Sequence, residues 1–175
     1  RFINNHKDDP FILYVSFLEP HPPWTGPYDG LHDPCEIPLE PTFLKKPSGH
    51  SLFNRIRADF FMQSDLHTPG NVPIQEWEKL RSEYNSRPTS IGKEFDLQDE
   101  SSWRKLRANY YGNITLVDDA VGRIMDAIDD AGIADDTILV FTSEHGDLLG
   151  THGMMEMRTF YEEAAKVPML IRAPM

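Results

Sequence analysis

Cysteine, basic residues and long apolar runs are all scarce in this sequence, and each scarcity excludes something. Cys35 is the only cysteine among 175 residues, so no disulfide framework can form within the chain. Lysine and arginine number 17 against 28 aspartates and glutamates, which gives a formal net charge of -11. Because general nucleic-acid binding depends on basic side chains that contact phosphates, we expect no nucleic-acid partner. No apolar run approaches the ~20 residues that cross a bilayer, so we expect no membrane span.

The remaining composition is that of a folded chain, with 39% hydrophobic and 11% aromatic residues. Runs rich in aromatic and β-branched residues predict short strands at 11–17, 137–142 and 167–172. The run at 137–142 does not alternate between apolar and polar residues, and 167–172 resembles it. We therefore predict that both strands are buried on both faces, as in a parallel sheet.

Residues 101–131 carry the strongest helical pattern. Ser101 or Ser102 is a candidate N-cap, and Gly132 stands where a glycine ends many helices. A helix followed by buried strands predicts α/β architecture. Apolar side chains recur every three or four residues along one face, at Leu106, Tyr110, Ile114, Val117, Val121, Ile124, Met125 and Ile128.

Residues 22–100 hold most of the prolines and show no sustained periodicity, so we predict a loop-rich insertion there. Short helices are predicted within it near 51–63 and 74–85. Residues 101–175 then form a segment of helix, strand, loop and strand.

Polar side chains follow two of the predicted strands, where open α/β sheets bind ligands. His21 lies in a stiff Pro-His-Pro-Pro loop, either as a ligand-binding group or as a loop histidine stacked on Trp24. Glu144 and His145 follow the second strand, and an acid beside an imidazole suits a divalent cation. The alternatives are an ordinary polar strand end, or a zinc pair of His145 with His152 that lacks a nearby third ligand.

The order of these motifs resembles the type I, formylglycine-dependent sulfatases of the alkaline-phosphatase-like superfamily. The motifs are Pro-His-Pro-Pro at 20–23, Thr-Ser-Glu-His-Gly-Asp-Leu-Leu-Gly-Thr-His-Gly at 142–153, Tyr-Glu-Glu at 161–163 and Val-Pro at 167–168. The resemblance implies an alkaline-phosphatase-like sandwich with a mostly parallel central sheet, incomplete here, so that 1–175 is a partial catalytic domain. It also implies a sulfuric ester hydrolase that acts on a small sulfate ester or a sulfated glycan. Export to the periplasm or outside the cell follows from the resemblance alone.

Residue roles follow from the same resemblance. Glu144 and His145 stand at the places of two metal ligands, usually for Ca²⁺, with Glu144 in place of the usual aspartate. His21 stands at the place of a histidine that contacts the sulfate. The family's sulfate-binding lysine is replaced by Met157, which makes the adjacent Arg158 a weaker candidate for substrate binding.

His152, in Gly-Thr-His-Gly, is a further candidate for substrate contact. The family's nucleophile motif, Cys-x-Pro-x-Arg or Ser-x-Pro-x-Arg, has no counterpart among the 175 residues, since no arginine follows Cys35 at that spacing. The resemblance therefore implies a formylglycine upstream of this segment, and we expect the segment alone to be inactive. Two alternatives stay open: a phosphonate monoester or phosphodiester hydrolase of the same superfamily, and a non-catalytic homologue that acts as a binding module.

Overall fold

The computed structural model describes residues 1–48, 52–62 and 99–174, with four isolated positions at 75, 78, 79 and 82. The helix predicted near 74–85 falls largely outside these residues. The elements are short except for one helix. In chain order they are α1 (Phe2–His6), α2 (Leu52–Phe61), α3 (Glu100–Asp130), a 3-10 turn (Ala134–Asp136), β1 (Leu139–Thr142), α4 (Glu162–Ala165) and β2 (Met169–Arg172).

Helix α3 begins one residue earlier than its pattern predicts. Asp99 is the N-cap, in extended conformation, and its carboxylate accepts a hydrogen bond from the Ser101 amide at 3.2 Å. The prediction of Ser101 or Ser102 as the cap is therefore wrong. The aspartate satisfies an N-terminal amide of the helix, and its negative charge lies at the positive end of the helix dipole.

The end of α3 agrees with the sequence prediction. Gly132 has a φ of +71°, and its amide donates to the Asp129 carbonyl at 3.0 Å. The amide of Ile133 donates to the Ile128 carbonyl at 3.3 Å. These two bonds form a Schellman motif, in which the left-handed glycine satisfies the last carbonyls of the helix.

No helix in the described part of the chain is long and apolar enough to cross a membrane.

The core lies against the N-terminal half of α3. Trp103 and Leu106 are fully buried, whereas Ile114, on the predicted apolar face, is 43% exposed. The predicted face is therefore buried only in part. Helix α2, where the sequence predicts a short helix, contributes to the same cluster, whose buried members are Trp24, Phe43, Ala58, Phe61, Trp103, Leu106, Leu148, Leu149, Met154, Met155 and Ala164.

Strands β1 and β2 form where two strands are predicted, but they pair antiparallel, with Leu139 opposite Arg172 and Thr142 opposite Met169. The parallel arrangement is not seen among the described residues. A parallel crossover needs a connection that usually carries a helix of a dozen residues or more, whereas α4 has only four residues. Burial on both faces is likewise not seen among the described residues, since Val140 is 52% and Leu170 is 62% exposed.

The strand predicted at 11–17 is not a strand in the structure. Its residues Ile12 and Tyr14 are 98% and 87% exposed. Among the described residues no other segment pairs with it, so the local sequence preference has no neighbouring ladder that would hold it as a strand.

A partly buried ion pair joins α3 to residue 40 of the predicted insertion. The guanidinium of Arg107 donates two hydrogen bonds to the Glu40 carboxylate, at 2.7 and 2.8 Å, and a third to the Leu149 carbonyl at 3.4 Å. Thr151 also donates to Glu40, at 3.3 Å. The bonds from Arg107 hold the pKa of Glu40 below its ordinary value. Arg107 is therefore buried with its charge compensated in the bidentate geometry that stabilises such pairs best.

We predict that Glu40→Gln lowers the free energy of unfolding by about 1–3 kcal/mol, because it leaves the buried Arg107 without its anion. The lower end of that range applies because solvent reaches the carboxylate. The matched control is Glu100→Gln, which breaks the exposed Glu100–Arg104 pair and should change stability by less than about 0.5 kcal/mol.

Urea unfolding at several pH values checks both effects. Since the folded pKa of Glu40 is lowered from 4.5, its stabilisation is fully present above pH 4.5 and is lost as the pH falls through the folded pKa. The difference between wild type and Glu40→Gln should shrink in that acidic range. A difference that is constant with pH would contradict the role assigned to the carboxylate.

Candidate functional site

Residues 147–156, here called the His152 loop, are closed at both ends by one carboxylate. Oδ1 of Asp147 accepts hydrogen bonds from the amides of Leu149 at 3.0 Å and Glu156 at 3.2 Å. Burial raises the pKa of Asp147 to about 6, although these two amides favour its ionised form. Asp147 therefore acts as a turn acid that shapes the loop.

The His152 loop rests on the segment at 40–44. The His152 amide donates to the Thr42 carbonyl at 2.9 Å, and the Leu44 amide donates to the Gly150 carbonyl at 2.8 Å. Gly150 has a φ of +93°, and a Cβ built there would lie 2.6 Å from the Phe43 ring. Its sharp turn and its contact with the core therefore both require glycine.

Two methionines of the loop, Met154 and Met155, are fully buried. Each supplies apolar area to the core, which agrees with a packing role and not with a soft-metal site. Met157, at the place of the family's lysine, packs against the same cluster. Its side chain contributes to hydrophobic packing at a position where the resemblance implies an anion-binding charge.

Glu144 and His145 follow β1 and lie in direct contact. Nε2 of His145 is 2.9 Å from Oε1 of Glu144, with side chains 34% and 86% exposed respectively. Nδ1 of His145 lies 2.8 Å from the Gly146 carbonyl oxygen, so Nδ1 carries the proton in that bond. An imidazole nitrogen and a carboxylate oxygen, both of which can ligate a divalent cation, therefore lie side by side after β1.

Gly146 places this pair against α4. Its amide donates to the Ala164 carbonyl at 2.9 Å, and a Cβ built on it would lie only 2.0 Å from the Glu163 carbonyl oxygen. No other residue type fits without moving one of the two backbones. The Glu-His-Gly motif thus needs glycine because two main chains touch there.

The imidazole of His152 lies on the same short helix. Its ring stacks on Tyr161, with centroids 3.8 Å apart and planes at 17°. Its Nε2 is 3.9 Å from Oε2 of Glu163. The segment at 161–164 therefore contacts the Glu144–His145 pair through Gly146 and contacts His152 directly, so the structure brings these two predicted site elements onto one support.

His21 and Arg158 have no described contact with the Glu144–His145 pair or with His152. His21 is exposed, with Nδ1 2.8 Å from the Pro22 carbonyl oxygen. Within the described part of the chain, no hydrogen bond, ion pair or ring contact joins it to Trp24, Glu144 or His145, so its role in the site stays a prediction. Nε of Arg158 lies 3.8 Å from Oε2 of Glu156. Its role in substrate binding also stays a prediction.

Sequence reasoning assigned no role to Tyr161 or Glu163. The sequence feature that includes both residues is the Tyr-Glu-Glu motif, which does not indicate which residues they contact. For Gly146 the corresponding feature is its position directly after Glu144 and His145. In each case the contact partner is distant in sequence, so no local pattern predicts it.

The donor set at Glu144 and His145 fits a divalent cation only in part. The two side chains offer carboxylate oxygens and one imidazole nitrogen, whereas Ca²⁺ takes 6–8 oxygen ligands. Among the described residues no group of three or more His, Cys, Asp or Glu side chains is placed to hold a metal. The pair can therefore serve only as two members of a larger ligand set, and within the described part of the chain the His145–His152 zinc alternative gains no third ligand.

The fold is similar to that of a solved phosphonate monoester hydrolase, SpPMH from Silicibacter pomeroyi. The TM-score is 0.58 at 25% sequence identity, covering 89% of this chain and 27% of that one. The sequence model of the Sulfatase family matches residues 1–175. The chain therefore belongs to the sulfatase family, which confirms the resemblance inferred from its motifs.

Individual relatives share about a quarter of their residues with this chain. The multifunctional alkaline phosphatase superfamily protein PehA of Trinickia caryophylli is 25% identical over 173 residues, which cover 98% of this chain and 30% of the relative. The iduronate 2-sulfatase of Mus musculus is 27% identical over 170 residues, covering 94% of this chain and 27% of the relative. The chain thus spans less than a third of the length of these relatives.

We predict that Gly146→Ala lowers the free energy of unfolding by about 1–3 kcal/mol, because its methyl group would overlap the Glu163 carbonyl. Gly122→Ala is the matched control: Gly122 lies within α3, and a Cβ built there meets nothing within 4 Å. That variant should be more stable by about 0.5–1 kcal/mol. Urea unfolding measures both changes. Equal stability of Gly146→Ala and wild type would contradict the backbone contact.

Proposed function

We propose that this protein is a sulfuric ester hydrolase, in which the present chain carries part of the cation and sulfate site. The observation that carries the proposal is the Glu144–His145 pair, with 2.9 Å between its carboxylate and imidazole. Both side chains are of types that ligate divalent cations, and the chain belongs to the sulfatase family. The substrate would be a small sulfate ester or a sulfated glycan.

In this proposal Glu144 and His145 hold a divalent cation, most simply Ca²⁺, together with ligands from outside the described residues. When bound, the cation would supply Lewis-acid stabilisation of negative charge. The residues of this chain bind and orient the ester. His21 and His152 donate N–H groups to sulfate oxygens, and Arg158 adds a guanidinium of suitable geometry.

The nucleophile is proposed to be a formylglycine outside the 175 residues, as the family resemblance implies. Nothing in the present chain is assigned that role. The residues described here would bind the charged ester and hold it in one orientation relative to the nucleophile, on which the covalent step takes place.

We also propose that β1 and β2 belong to a larger, mostly parallel sheet of an alkaline-phosphatase-like sandwich. Val140, Leu170 and Ile171 are 52%, 62% and 59% exposed, and a contiguous apolar surface of this kind is typical of a face that packs against another element. Export from the cytoplasm remains part of the same proposal.

The leading alternative keeps the superfamily and changes the substrate to a phosphonate monoester or a phosphodiester. The structural similarity to a phosphonate monoester hydrolase favours it. A third candidate, a non-catalytic binding module, is favoured by the partly buried Met157, which stands where the family has a charged lysine. Both remain in the tests below.

The first prediction concerns the cation. Wild-type chain should bind Ca²⁺ only in roughly the millimolar range, because two side chains make an incomplete ligand set. Glu144→Gln should abolish that binding, since the amide removes the charge. Calorimetry with Ca²⁺, Mn²⁺ and Zn²⁺ measures it, with Glu162→Gln as the control. Binding that survives Glu144→Gln would contradict the assigned ligand, and the absence of Ca²⁺ binding at millimolar concentrations would contradict the proposed ion.

The second prediction concerns the reaction. The protein encoded by the longest reading frame that contains these residues should hydrolyse 4-nitrophenyl sulfate with a higher kcat/KM than 4-nitrophenyl phenylphosphonate. Glu144→Gln should lower that kcat/KM by roughly 100-fold, in the range seen when metal sites are weakened. The 175-residue chain by itself should be inactive. Faster phosphonate turnover would transfer the assignment to the alternative, and no turnover of either ester would favour the binding module.

A further inference from the structure

Glu163 touches both parts of the candidate site, although the proposed chemistry gives it no role. Its carbonyl oxygen lies against Gly146, directly after the Glu144–His145 pair. Its carboxylate oxygen Oε2 lies 3.9 Å from Nε2 of His152. The side chains of His152 and Glu163 are 17% and 30% exposed, so solvent screens their interaction only in part.

His152 has a backbone conformation that glycine adopts more easily. Its φ is +56°, and both neighbouring glycines of the loop, Gly150 and Gly153, also have positive φ values. A histidine in this region costs some free energy relative to glycine. Contacts of the imidazole with its neighbours help to offset that cost.

Three contacts fix the His152 residue. Its amide donates to Thr42 at 2.9 Å, its ring face stacks on Tyr161 at 3.8 Å, and its Nε2 faces the carboxylate of Glu163. Tyr161 is the N-cap of α4 and Glu163 lies in its first turn. One short segment therefore holds both the face and the edge of the ring.

We propose that Glu163 is a positioning residue that sets the spacing between the two halves of the anion site. Its carboxylate orients the imidazole of His152, while its main chain fixes the Glu144–His145 pair through Gly146. This proposal rests on the proposed function, since only there does His152 contact the sulfate. Glu163 itself does not touch the substrate, and it acts through the orientation of its neighbour.

The first test needs no ligand. In histidine-labelled protein, the ring proton signals of His152, identified by their loss in His152→Gln, should show the upfield shift that stacking on Tyr161 produces. Glu163→Gln should reduce that shift, and Glu163→Asp should restore part of it. Glu162→Gln, on the neighbouring exposed residue of the same helix, should leave the spectrum unchanged. Urea unfolding shows whether each variant remains folded.

The second test uses inorganic sulfate as the probe, followed through the same histidine signals. Glu163→Gln should raise the sulfate concentration needed for half-saturation by roughly tenfold, a loss typical of residues that orient a binding group. Glu163→Asp should recover part of the affinity, and Glu162→Gln should match wild type.

The outcomes separate this proposal from the proposed function. An unchanged His152 spectrum in Glu163→Gln, or an equal change in Glu162→Gln, would overturn the positioning role whatever sulfate does. If neither sulfate nor divalent ions change the histidine signals of the wild-type chain, that result would count against the proposed function. In that case the ligand-free comparison still decides the role of Glu163.

Discussion

The contact between Gly146 and the Glu163–Ala164 peptide is the constraint on which the candidate site depends. It brings the strand end that carries Glu144 and His145 against α4, with an amide-to-carbonyl bond of 2.9 Å. The approach is too close for any Cβ. Because main-chain atoms on both sides make this contact, the separation of the two backbones does not depend on side-chain rotamers.

The His152 loop continues this principle of fixed backbone. Asp147 closes the loop, and Gly150 lets it press against Phe43 and Trp103. Beneath the loop, Arg107 connects Glu40 with the Leu149 carbonyl. Residues 40–44 of the predicted insertion are therefore part of the packed structure, since the His152 loop packs directly on them.

Some local features could be predicted from sequence because their causes are local. The Schellman end of α3 at Gly132 depends on residues within one turn, and β1 and β2 lie where β-branched runs occur. The cap of α3 is a local feature that was assigned to the wrong residue, because aspartate and serine are equally good N-caps and Asp99 precedes the two serines. The other failures have non-local causes: residues 11–17 have the composition of a strand but no partner in the described structure. The direction in which β1 and β2 pair was also not predicted, because it depends on the path of the chain between them.

The sequence by itself determined the chemistry available to this protein: an acid beside a histidine at a strand end, a second histidine between glycines, and motif order that identifies the sulfatase family. Tertiary structure alone decided which groups meet. The partly buried Met157 packs against the core cluster, and His152 contacts Tyr161 and Glu163. The physical reason is that residue type fixes charge and hydrogen-bonding capacity, whereas distances between segments far apart in sequence arise only from packing.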